Sequence, residues 1–98
     1  MVTAALVNTA LNDGRGLGVY LRYPLAALPK FVEWKMLGRN HYVVGMEPCN
    51  CFIYPRSRLV AEQALPVLAP GETRRYAVEI GVVSGPEETA LFESLAGR

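Results

Sequence analysis

Histidine and tryptophan each occur once and cysteine twice in the 98 residues. With one histidine and no strand-to-helix nucleophile elbow, the sequence supports no Ser-His-Asp hydrolase. Cys49 and Cys51 are two positions apart, with Asn50 between them. A disulfide between them would close a strained small ring, and C-x-C alone is a poor zinc signature. The expectation is therefore two reduced thiols in a cytoplasmic protein, with no metal and no organic cofactor. No apolar run reaches the roughly 18 residues that a membrane-crossing helix needs. Met1-Val2-Thr3-Ala4-Ala5 lacks the basic start of a secretory signal, so none is expected. Net charge is +1, and Arg74-Arg75 is the one adjacent basic pair. That excludes a field built for nucleic acid or an anionic membrane.

What is present is apolar and evenly spread: 51% hydrophobic and 19% charged residues. This is the balance of one globular domain over residues 1–98, able to bury one modest core. Val2 to Asn8 reads as a strand. Leu11 to Gly18 reads as a turn, because Asn, Asp and Gly supply left-handed geometry. A phosphate cradle is not supported there, since no Lys-Ser/Thr and no helix follow. Val19 to Tyr23 alternates as a half-buried strand ended by Pro24. Leu25 to Pro29 is a connector. Phe31 to Leu37 and Tyr42 to Met46 are two strands around a turn at residues 38–41, and Pro48 is expected to stop the second ladder.

Arg56 to Gln63 is compatible with a short helix or a strand, whereas Ala64 to Leu68 looks extended. After the Pro70-Gly71 turn, Glu72 to Val83 is the longest strand candidate. Its mostly apolar set, Tyr76, Val78, Ile80 and Val82 with Arg74, is expected to face the core. Ser84 and Glu87 have capping-box spacing for a last helix, with Leu91, Leu95 and Phe92 on its packing face and Gly97 as its stop. The fold class is mainly β: an antiparallel sheet or partial β-sandwich with a short C-terminal helix.

Chemistry is most readily placed on the central hairpin. With residues 38–41 as the loop, Leu37 pairs with Tyr42 and Trp34 lies opposite Gly45, on the face that carries Val32 and Glu47. An aromatic ring beside a carboxylate suits a sugar: the ring takes the C–H face and the carboxylate takes hydroxyl protons. A one-residue slip would instead put Lys35 with Gly45 and Glu47. A glycosidase is unsupported, since no second convergent carboxylate stands out.

Leu28-Pro29, Trp34-Lys35-Met36, Tyr42-Val43-Val44-Gly45-Met46-Glu47-Pro48-Cys49-Asn50-Cys51 and Leu68-Ala69-Pro70-Gly71-Glu72 together resemble the C-terminal part of the aldose 1-epimerase (galactose mutarotase-like) superfamily. The closest pattern is a branch with W-K-M and G-x-E-P-x-N-C, and the resemblance runs to about Val83. It implies a galactose mutarotase-like β-sandwich binding a free hexose, and an isomerase that interconverts its anomers by general acid/base catalysis. Glu47 would be the base, Trp34 and Lys35 would line the cleft, and Asn50 would hold a hydroxyl or the loop. The family's acid histidine has no counterpart here, and the role does not pass to His41. The alternative is a non-catalytic sugar-binding or structural module. Half a sandwich exposes an apolar face, so a homodimer or higher oligomer is expected, or else a part of a larger product.

Overall fold

The structure is a computed structural model that describes residues 1–96. The expected Gly97 helix stop lies outside the described residues. The element order is β1 (Val2–Asn8), β2 (Leu17–Tyr23), β3 (Lys30–Gly38), β4 (His41–Cys49), α1 (Arg56–Ala61), β5 (Glu79–Ser84) and α2 (Pro86–Ala96). The protein is mainly β, with antiparallel sheets and one short C-terminal helix. Packing divides it into two compact units. One joins Met1–Pro24 to the chain from Ala77 on, and the other is Leu25–Tyr76.

The first unit is a three-stranded sheet in the order β1-β2-β5. The β1–β2 connection carries Asn12, Asp13, Gly14 and Gly16 at positive φ, the left-handed geometry that these residue types tolerate best. Central β2 pairs Tyr20 with Ala5 on one side and Gly81 on the other. A Cβ at residue 81 would collide with the Tyr20 ring. Glycine therefore lets that ring lie flat across β5, where it meets Phe92 of α2 at 5.2 Å between centroids.

This packing reverses the expected sidedness of β5. Val83 is fully buried, whereas Ile80 and Val82 are 72% and 64% exposed. The strand is also shorter than expected: its ladder begins at Glu79, and residues 72–78 pair with no strand. Apolar counting favoured the Ile80–Val82 face. Packing chose the other, because Gly81 there accepts a ring and α2 covers it.

Helix α2 starts one residue later than the Ser84 reading implies. Gly85 is its cap, and the Gly85 carbonyl accepts the Thr89 N–H at 3.0 Å. The carboxylate that reaches back is Glu88, not Glu87, accepting the Ser84 N–H at 2.7 Å. Thr89 is buried against Gly16, where a side chain would collide with its hydroxyl. Thr89 and Phe92 thus turn toward the sheet, and Leu91, expected on the packing face, is 56% exposed. Leu95 shares a hollow with Phe92, Thr3, Ala5 and Val7.

The second unit is organised on the β3–β4 hairpin. Its register pairs Leu37 with Tyr42, Trp34 with Gly45, Val32 with Glu47 and Lys30 with Cys49. Gly38 and His41 are themselves paired, so the loop is only Arg39-Asn40, with Asn40 at φ 63°. β4 does not stop at Pro48: it continues to Cys49, with Pro48 opposite Phe31. Proline is tolerated because in a two-stranded sheet a strand has one edge without ladder bonds. The ambiguous 56–63 segment is helical over Arg56–Ala61, with Leu59 buried.

Gly81→Ala should destabilise the first unit by about 1–3 kcal/mol through forced displacement of the Tyr20 ring. Thermal or urea unfolding followed by circular dichroism reads this directly; an unchanged midpoint would contradict the packing of Tyr20 across β5.

Candidate functional site

Alternation along paired strands sorts the hairpin into two faces. Lys30, Val32, Trp34 and Met36 share one face with Val43, Gly45, Glu47 and Cys49. Phe31, Glu33, Lys35 and Leu37 share the other with Tyr42, Val44, Met46 and Pro48. Trp34 and Glu47 are thus brought together and Lys35 is not. Lys35 lies on the opposite face, its ammonium 3.8 Å from the Glu33 carboxylate.

Glu47 fills the space that Gly45 leaves open. Its carboxylate oxygen lies 3.1 Å from where a Gly45 Cβ would stand, and its Cγ lies 3.5 Å away. The acid is therefore folded back toward the Gly45–Trp34 pair instead of extending along the strand. Trp34 is 49% exposed and Glu47 is exposed, so part of the indole and a carboxylate are presented on an open surface. The hollows elsewhere belong to other elements. One lies between β1 and α2, another is lined by Leu6, Leu11, Leu17, Val19 and Val82, and a third sits beside α1. Neither Trp34 nor Glu47 lines any of these.

Asn50 stands just past β4, and its side-chain amide donates to the Tyr76 hydroxyl at 3.2 Å. This bond ties the segment after the hairpin to the end of the unit. His41 is on the Trp34–Glu47 face but at the loop end, six residues before Glu47. At the strand rise, that is about 20 Å away. Cys49 and Cys51 are free thiols. Among the described residues, no group of three or more His, Cys, Asp or Glu could hold a metal ion.

One feature was missed from sequence. The Lys30 ammonium lies 4.5 Å from the Phe52 ring centroid, the Phe52 and Tyr54 rings are 5.6 Å apart, and the Arg58 guanidinium stacks 3.7 Å over Tyr54. The Phe52-Ile53-Tyr54 spacing was the available signal, but an irregular segment has no period by which to orient it. Cation–ring contacts of this kind each contribute about 0.5–1 kcal/mol at exposed sites. Arg58 is also paired with Glu62 at 2.9 Å.

The Leu68–Glu72 motif is a closed turn. The Glu72 N–H donates to the Ala69 carbonyl at 3.0 Å, and Gly71 has φ 77°. Proline followed by a positive-φ glycine is a type II arrangement. The Glu72 carboxylate accepts from Arg74 Nε at 2.9 Å and from the Ala69 N–H, while Arg74 also donates to the Val67 carbonyl. Chiefly the Arg74 hydrogen bond, then the Ala69 N–H, hold the Glu72 carboxyl below the usual carboxylate range.

The antiparallel, mainly β architecture with its exposed hairpin defines the class. Within it, the chain belongs to a family described as a domain of unknown function, DUF4432, whose model matches residues 1–82. No curated protein and no solved structure matches the chain. Among the described residues, no helix is long and apolar enough to cross a membrane.

Because the Glu72 carboxyl is lowered in the fold, its bonds stabilise the turn above the ordinary carboxylate range and are lost as pH falls through the lowered value. Arg74→Ala should return the Glu72 titration toward that ordinary range, as read from its side-chain carboxyl signal by NMR. An identical titration in both proteins would contradict the clamp.

Proposed function

We propose that this protein binds a free monosaccharide on the Trp34–Glu47 face of the hairpin, in the manner of the aldose 1-epimerase (galactose mutarotase-like) superfamily. The observation that carries the reading is the conjunction on one face: a half-exposed indole opposite a glycine, with a carboxylate folded over that glycine. The indole offers an apolar surface to a sugar's C–H face, and the carboxylate accepts hydroxyl protons. In the catalytic form of the reading, Glu47 takes the proton from the anomeric hydroxyl, the C1–O5 bond breaks as the ring oxygen takes a proton from solvent water on this open surface, and after rotation about C1–C2 the reverse transfers reclose the ring on the other face. Asn50 serves through its bond to Tyr76, holding the end of β4. Lys35, turned to the opposite face, has no part in that contact.

A second reading is favoured by the position of His41. An acid and a base acting on one hexose must both reach atoms of a single ring. About 20 Å along β4 is too far for His41 to serve with Glu47. Binding without anomer exchange by this chain alone is therefore the companion proposal. Self-association belongs to the same account: Leu6, Leu17, Val19 and Val82 are exposed on one face of the first unit's sheet. A homodimer or higher oligomer would cover them.

Titration of Trp34 fluorescence with free aldoses should show saturable change that Glu47→Ala weakens at least several-fold, and calorimetric titration should show Trp34→Phe weakening the same binding to a similar extent. No response to any aldose would remove the binding reading. Exchange NMR on the same sugars separates the two forms: under the catalytic reading, Glu47→Gln lowers the catalysed rate by about 100-fold or more. Wild type and variant both at the uncatalysed rate, with binding intact, would leave the non-catalytic form.

A further inference from the structure

The most exposed large apolar side chain among the described residues is Ile53, at 78%. Its neighbours are pinned. The Lys30 ammonium lies over the Phe52 ring, and the Arg58 guanidinium lies over the Tyr54 ring. The two rings also meet each other. Pro55 follows, and its carbonyl accepts the Arg58 and Leu59 N–H groups that open α1. An aliphatic knob is thus held out to water between two clamped rings. Exposed apolar surface of this kind costs the isolated chain free energy and is recovered only on docking. A knob fixed in advance loses little conformational freedom when it docks. An apolar anchor flanked by tyrosine and arginine is the anatomy of a protein–protein contact.

The charge beside the knob has one excess sign. Arg58 is balanced by Glu62. Lys30, and Arg56 just after Pro55, are in no ion pair among the described residues. A matching surface is therefore apolar with an acid beside it, and α2 has that character. Thr89 and Phe92 turn its inner side to the sheet. The helical period then puts Glu87 and Leu91 on the outer side, with Leu95 one turn further along. Leu91 and Leu95 are both exposed. Pro86 to Ala96 holds three glutamates and no basic residue. Glu88 is engaged by the Ser84 N–H, whereas Glu87 is in no ion pair among the described residues. The sheet face of Leu6, Leu17, Val19 and Val82 carries no charge, so it cannot choose a partner by sign.

We infer that a second copy of this chain docks the outer side of its α2 on the Phe52–Tyr54 segment. Ile53 enters the gap between Leu91 and Leu95, which are about 6 Å apart along the helix, and Glu87 pairs with Arg56. The contact joins unlike surfaces, so copies associate head to tail. Neither surface includes Trp34 or Glu47, and the inference stands apart from the sugar reading.

Sedimentation velocity of the full chain over a range of concentrations tests this, with circular dichroism confirming that each variant is folded. The wild type should self-associate. Ile53→Asp and Leu91→Asp, both at exposed positions, should each weaken association about tenfold or more. An equimolar mixture of these two variants should form a one-to-one dimer, because one copy keeps an intact α2 and the other an intact knob. Glu87→Lys should weaken association several-fold, and adding Arg56→Glu to the same chain should restore it. A wild type that stays monomeric overturns the inference, as does a mixture no more associated than its separate components. Association that survives Ile53→Asp but is lost in Val19→Asp also overturns it, and assigns the contact to the uncharged sheet face instead.

Discussion

The pairing register of β3 with β4 decides which side chains of the second unit share a surface. Because side chains alternate, a slip of one residue would move every member of the face to the other side. In the observed register Trp34 is opposite Gly45, and Glu47 is two residues further along the same strand. Gly45 then has two effects. It puts no side chain directly opposite the indole, and it provides the space into which the Glu47 carboxylate folds. A larger residue at 45 would remove both, whatever its polarity.

The hairpin register could be read from sequence because two independent constraints agree. The Gly38–His41 segment contains Asn40, which takes a left-handed conformation at low cost. The alternation on each side extends far enough to fix which residues face together. β5 lacked that second constraint. Its two faces differ by only a few residues, and the deciding feature is Tyr20, far away in sequence, lying across Gly81. The order β1-β2-β5, with the whole second unit inserted between neighbours in space, leaves no local trace.

The candidate site was similarly half legible. The opposition of indole and glycine follows from counting residues. The fold-back of Glu47, the exclusion of Lys35 and the attachment of Lys30 to Phe52 depend on side-chain choices that alternation does not determine. These choices change the chemical reading. A Lys35–Glu47 pair would have neutralised the proposed sugar-binding face. Instead, Lys35 is balanced by Glu33 on the far side. His41 shows the opposite limit: it is on the right face, but strand geometry puts it beyond the reach of one sugar ring.

A two-dimensional amide correlation spectrum, recorded while a monosaccharide is added, tests the account most directly. Shifts should concentrate on the Trp34 indole N–H and on the backbone of Val32, Gly45 and Glu47, and be small on β1, β2 and β5. An unmoved hairpin, or shifts centred on the other sheet, would contradict it.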